Sequence, residues 1–261
     1  MADIKEFMDA ALLVSASSVG IEPGSLSFNP GMTKEDQRTA GKVNFEHRCM
    51  TSKRPLISAT IHDPSVILPT GLATVTNLSA FWRAFEENGG LGAGYLSYTF
   101  ANALVVPKSL SVSATQIAKL VCEFLGLFPD QDNPALVIGT TSQAPATLTK
   151  CWVLASLIIG GNTEENVESV NVTWNYELQP RPDYQPEAYF YDTFNMSGEA
   201  SLRDLAVADI DNMSEGKAET VVLNLVDRET PANTLQVNLG NCDVEVNLSG
   251  RKAAYTFTSL G

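Results

Sequence analysis

The 261-residue chain has two histidines, His47 and His62, and a nucleophile triad would have to draw its base from one of them. Neither stands beside a Ser or Cys elbow: Arg48 follows the first, Asp63-Pro64 follows the second, and no G-x-S-x-G occurs. His62-Asp63 has the residue types of a base and its orienter, but neighbours on a strand point to opposite faces, so both histidines read as surface or turn residues. Gly89-Gly-Leu-Gly-Ala-Gly94 has the glycines of a phosphate loop without its Lys-Ser/Thr ending, and it reads as helix termination and a strand bend. The carboxylates Asp192, Glu199, Asp204, Asp209, Asp211, Glu215 and Glu219 could pair as glycosidase acid and base, yet nothing in their spacing fixes a separation. Asp209-Ile-Asp211-Asn-Met-Ser-Glu215-Gly offers oxygen ligands without the twelve-residue spacing of a calcium loop, which favours a solvated acidic face. Cys49, Cys122, Cys151 and Cys242 form no CxxC pair and read as reduced thiols. The expectation is therefore no catalytic, metal or cofactor site.

Charge narrows the field further. Thirty acids against seventeen Lys and Arg give a formal net charge of −13, which argues against a nucleic-acid reader that needs a basic footprint. Residues 183–261 carry thirteen acids and five bases, so the C-terminal part is the more acidic one. The opening Met-Ala-Asp-Ile-Lys-Glu lacks the basic flank of a secretory signal, and no apolar run approaches the roughly 18 to 20 residues of a membrane span, so a soluble chain without membrane contact is expected.

The elements that would position such residues are mostly β. Val167 to Leu178 places Val170, Val172, Trp174 and Tyr176 at period two, with Asn171, Thr173, Asn175 and Glu177 on the other face. Val221 to Val226, Thr234 to Leu239, Val244 to Leu248 and Ala254 to Thr258 alternate likewise between turn residues, which predicts an antiparallel sheet system. Ser79 to Asn88 predicts one short helix, capped by Ser79, with Phe81, Trp82 and Phe85 on one face. Ile21 to Gly41 holds Lys34, Glu35, Asp36 and Arg38 without an apolar period and predicts a long loop or arm. The order of segments after Arg54 repeats after Glu199, and laying the two ends together makes Ala118 to Leu125 a strand, although its local spacing favours a helix. The predicted organisation is an N-terminal strand and arm (1–42), a first β domain (43–178), a stiff Pro-rich linker (179–186) and a second, smaller acidic β domain (187–261).

Cys151-Trp-Val-Leu-Ala-Ser-Leu-Ile-Ile-Gly-Gly-Asn followed by Val167-Glu-Ser-Val-Asn-Val-Thr-Trp-Asn-Tyr-Glu-Leu resembles virion structural proteins of tailed bacteriophages, most of all tail tube proteins. By order of segments the likeness runs over residues 43–261. It implies a β-sandwich or barrel, here duplicated and flanked by one short helix. Such a subunit, made in the host cytoplasm and resident in the virion tail, would assemble with itself and other tail proteins into stacked rings. DNA would pass through the conduit without specific binding, and carboxylates on the lumen would repel its phosphates. Asp204, Asp209, Asp211, Glu215 and Glu219 are the expected lumen-facing acids, and the arm with Lys34, Glu35, Asp36 and Arg38 is expected to reach a neighbouring subunit. A capsid or decoration protein shares the β composition and the arm. A carbohydrate-binding β-sandwich would need an aromatic platform, for which Trp152, Trp174, Tyr189, Phe190 and Tyr191 are the candidates.

Overall fold

Alternating apolar and polar residues organise most of the chain as strand, and one large antiparallel sheet results. The computed structural model describes residues 7–15, 17–37, 47–68, 72–85, 91–141, 150–164, 166–203, 217–249 and 252–260. The N-terminal part holds β1 (Phe7–Val14), β2 (Ser17–Val19), β3 (Ser27–Asn29), β4 (Met32–Gln37), β5 (His47–Lys53) and β6 (Leu56–Ile61). A 3-10 turn at Pro64–Val66 precedes β7 (Ala73–Phe85), β8 (Leu91–Ser113), β9 (Lys119–Leu127) and β10 (Leu136–Thr141). The remainder forms β11 (Trp152–Ile159), β12 (Asn162–Glu164), β13 (Val167–Arg181), β14 (Ala188–Leu202), β15 (Lys217–Asp227), β16 (Thr234–Ser249) and β17 (Lys252–Ser259).

Fifteen of these strands share one sheet, whose main path runs β12-β11-β15-β16-β17-β14-β13-β8-β7-β1-β2. The 23-residue β8 is its spine. Along its length it pairs with β7, β10, β9 and β13, and β6 and β3 extend the branch beyond β9. Although β11 lies far from β8 in that order, it contacts both β8 and β13, and Ala118 N–H donates to the Trp152 carbonyl at 2.8 Å. The sheet therefore curls back on itself. Between the two arms lies the main core, where Leu157, Leu223 and Phe257 join Val170, Leu110, Leu120 and Ile57. Burying such side chains is the main favourable term, about 1.5–3 kcal/mol for each.

Three local expectations are corrected. The predicted helix at Ser79 to Asn88 is strand as far as Phe85, within β7, and residues 86–88 lie outside the described ones. Helical spacing misled because β7 is covered on both faces: Leu78 and Ala80 enter the main core, while Phe81 packs with Ala11 and Tyr95 in a second cluster. Ser79 caps nothing; its hydroxyl meets Thr99 Oγ1 across the strands at 2.9 Å.

The expected loop from Ile21 to Gly41 contains β3 and β4. Leu26 is buried and the Phe28 ring stands 4.6 Å from that of Tyr98, so its first half belongs to the core. β4 pairs with β5 in a two-stranded ribbon outside the main sheet. Its partner lies beyond the end of the expected arm, where a local pattern could not show it. Gly31, at φ +57°, turns the chain into the ribbon so close to the Arg54 carbonyl that any Cβ would overlap it.

The Pro-rich segment at 179–186 is no extended linker. Gln179 to Arg181 continue β13, pairing Pro180 with Tyr189, and the rest forms the turn into β14. Hydrogen bonds from other parts of the chain hold that turn: Lys53 N–H to Tyr184 O, Phe128 N–H to Pro186 O, Gln131 Nε2 to Gln185 O, and Arg54 Nη2 to Asp183 O. In contrast, Ala118 to Leu125 is extended as the repeat required, since β9 covers Lys119–Leu127.

Candidate functional site

Strand alternation gives β13, β14, β17 and β16 a continuous outward polar surface that can be traced through the pairing register. Inward, Val170, Val172, Trp174, Met196, Ala200, Tyr255, Phe257, Cys242 and Val244 are buried. Outward on β13 stand Ser169, Asn171, Thr173, Asn175 and Glu177, and opposite them on β14 stand Ser201, Glu199, Ser197, Asn195 and Thr193. β17 adds Ala254, Thr256 and Thr258, and β16 adds Asn247, Glu245 and Asp243. The face carries four exposed carboxylates, Glu177, Glu199, Asp243 and Glu245, and no Lys or Arg among these positions.

The spacing of those charges follows from the ladder. Thr256 pairs with Glu199 on one side and Glu245 on the other, so the two carboxylate positions stand two strand spacings apart, roughly 10 Å. Asp243 and Glu245 are two residues apart on one strand, about 7 Å. These separations are close to the ~8 Å Debye length at physiological salt, so the fields of Glu199, Asp243 and Glu245 overlap above the sheet, while Glu177, six residues along β13 from the position opposite Glu199, stands roughly 20 Å away. At the border on β9, the Lys119 ammonium bonds the Glu22 carboxylate and holds it below its usual range.

Asp204, Asp209, Asp211 and Glu215 lie outside the described residues. Glu219 pairs in register with the buried Cys242, on the opposite side of the sheet from Asp243, and its carboxylate bonds Lys217 at 2.6 Å and lies against Gly160. Glu177, Glu199, Asp243 and Glu245 occupy the outward face, and the sequence signal for that shared placement is a position out of phase with Val170, Trp174 and Val244. Of the arm residues, Lys34 and Glu35 are exposed on β4, Asp36 is its fifth residue, and Arg38 lies outside the described residues. Of the expected aromatic platform, Trp152 and Trp174 are buried and Tyr189 is half-buried, whereas Phe190 and Tyr191 are 54% and 64% exposed.

Polar residues near His62 form a knot that joins the two arms of the sheet. Asp63 accepts from Ser65 N–H at 3.2 Å and from Trp152 Nε1 at 2.7 Å, and Lys150 Nζ lies 3.6 Å from its carboxylate. His62 Nδ1 faces the Ala118 carbonyl at 3.3 Å rather than Asp63. On the other side of Lys150 and Trp152, Asp227 is 1% exposed and accepts from Cys151 N–H, Glu229 N–H and Asn233 Nδ2. The Cys151 N–H, with the other donors, holds its carboxyl below the usual carboxylate range against the cost of burial. The contacts of Lys150, Cys151 and Trp152 among these fix the start of β11 in place. Burial pushes the thiols of Cys122, Cys151 and Cys242 up, away from the reactive thiolate. Among the described residues no group of three or more His, Cys, Asp and Glu side chains could hold a metal ion, and no helix is long and apolar enough to cross a membrane.

Comparison with known proteins finds no family model and no curated protein that matches this chain.

Proposed function

We propose that this chain is a structural subunit of a bacteriophage tail tube, whose outward acidic sheet face lines a conduit for DNA. The face of β13, β14, β17 and β16 carries this reading: its positions from Ser169 to Glu177 and those paired with them offer hydroxyls, amides and four carboxylates, with no Lys or Arg among them to make the counterion-releasing phosphate contacts that hold DNA. A polyanion beside it is hydrated and repelled. The role is structural, with the virion tail as its location.

Assembly is supported by what the single chain leaves open. β10 pairs with β8 on one side and, among the described residues, with nothing on the other, and its Val137 and Ile138 are about 60% exposed. At the far side of the same branch, among the described residues, the outer edge of β1 is covered by β2 from Leu12 onward and by no strand before it. Two open edges on opposite sides of one sheet suit head-to-tail association, which closes into rings. The ribbon of β4 and β5 gives a second tether, because Met32, Thr33, Lys34 and Glu35 are all exposed. The repeated order of segments fits two tube-like units in one chain, so that fewer chains would complete a ring. Negative-stain electron microscopy of the purified protein tests the proposal. Rings or hollow tubes are expected; shells, or a strictly monomeric mass at tens of micromolar in several buffers, would overturn it.

A further inference from the structure

We propose that the outward face ends in a binding site for a neutral saccharide, built on the turn-proximal end of the β13–β14 hairpin. A depression of about 210 Å³ there is lined by Gln179, Arg181, Phe190, Tyr191 and Asp192. It is smaller than the about 300–1,000 Å³ of drug-sized sites and suits a single sugar ring.

The pairing register assembles the site. Gln179 stands directly opposite Phe190, and the register shift after Glu177 leaves Asp192 as the extra residue, turned beside them. Gln179 Nε2 donates to Asp192 Oδ2 at 3.0 Å, which orients both groups while leaving Asp192 a second carboxylate oxygen and Gln179 its amide oxygen. The Arg181 guanidinium lies 5.2 Å from the centre of the Phe190 ring and braces one side of it. The ring is nevertheless 54% exposed, and Tyr191 beside it is 64% exposed.

That combination matches the two surfaces of a pyranose. Its C–H face stacks on an aromatic ring, and its neighbouring hydroxyls donate to a carboxylate and an amide oxygen and accept from a guanidinium. Charge selects the class: Asp183, Glu187 and Asp192 share this end of the hairpin with Arg181, and Arg54 reaches it at the Asp183 carbonyl, so three carboxylates against two guanidiniums leave an anionic sugar or a nucleotide no net attraction. The site does not depend on the conduit reading, because it uses one hairpin of one chain.

Saturation-transfer difference NMR on the full chain, assembled or not, tests this with a panel of neutral oligosaccharides and sulfated or sialylated ones. Transfer to a neutral sugar is expected, with affinity about tenfold lower in Phe190→Ala and Asp192→Ala and unchanged in Asn247→Ala. Absence of transfer from every sugar, equal transfer in Phe190→Ala, or preference for an anionic sugar would overturn it. So would a change of oligomeric state in Phe190→Ala without any saccharide signal, which would assign the ring to contact between copies. Circular dichroism matching the unsubstituted chain shows that the variants are folded, as expected for side chains this exposed.

Discussion

Replacing Glu177, Glu199, Asp243 and Glu245 together by Lys reverses the one property that makes the outward face suitable as a DNA conduit. Each exchange adds two positive charges, so the formal net charge moves from −13 to −5 while the local charge on the face moves from −4 to +4. If each lysine neutralises one phosphate, the logarithm of the duplex affinity should fall with that of salt at a slope of about −3.6, a loss of roughly 150-fold between about 50 and 200 mM. Fluorescence anisotropy of a labelled duplex of about 30 base pairs reads both the affinity and the slope. All four side chains are exposed, where charge pairs are worth about 0–1 kcal/mol, so far-UV circular dichroism should be unchanged. The unsubstituted chain should show no measurable binding. Duplex binding by the unsubstituted chain, or a variant whose binding is absent or insensitive to salt, would refute the argument that this face repels DNA by its charge.

Replacing Met32–Ser52 by a short Gly-Ser turn, which keeps the Lys53 bond to Tyr184, should leave the sheet folded, because the ribbon lies outside it, but should abolish stacking beyond single rings on electron micrographs; loss of the β signal would instead make the ribbon part of the fold. Gly198→Ala should lower the urea midpoint, since a Cβ would stand 2.0 Å from a ring carbon of the buried Phe257. Overpacking there costs about 1–3 kcal/mol against about 0.5–1 gained on leaving glycine, so a stabilised variant would contradict the contact. Asp227→Asn tests the knot at β11. Because the folded carboxyl is held low, its contribution is fully present above the unfolded value near about 4 and is lost as pH falls through the folded value. The stability gap between the variant and the unsubstituted chain should therefore close in acid; a gap constant from pH 7 to pH 2 would refute it.

The β class was legible in the sequence wherever a strand has one wet face: Val170, Val172 and Trp174 are buried and Asn171 and Thr173 exposed, as the alternation required. Legibility failed where both faces are covered. β7 sits between the main core and the cluster of Ala11, Phe81 and Tyr95, so its apolar residues follow no period of two, and their chance spacing imitates a helix. β9 was rescued only by comparison with the C-terminal end of the chain. Partners distant in sequence were equally hidden: nothing local in Lys34 or Glu35 announces Met50 and Cys49 as their neighbours, and nothing in the prolines of 180–186 announces the bonds to Lys53 and Phe128. For the candidate site, counting acids by segment pointed to Asp204 through Glu219. A field above a sheet depends on which acids share a face, and that is fixed by register, which pairs Glu219 with a buried cysteine and sets Glu199 beside Thr256.

A sheet face that must repel a polyanion meets a conflict, because like charges directly opposite one another weaken the ladder that carries them. The observed register resolves it. Glu199 faces Asn171 and Thr256, Glu245 faces Thr256, Asp243 faces Thr258 and Ala218, and Glu177 faces Thr193, so none of the four carboxylates opposes another. Hydroxyl and amide neighbours also bond one another across strands, as Asn247 Nδ2 does with Thr256 Oγ1 at 2.8 Å. Each charge thus stands in a neutral, hydrated surround: Glu199, Asp243 and Glu245 are close enough for their fields to add above the surface, and far enough apart for water and salt to screen them within it. Lysines set among the same hydroxyls would keep the ladder equally well and would hold DNA instead of passing it. The sign of the charge, which sheet stability leaves undetermined, is therefore the feature that ties this face to its proposed task.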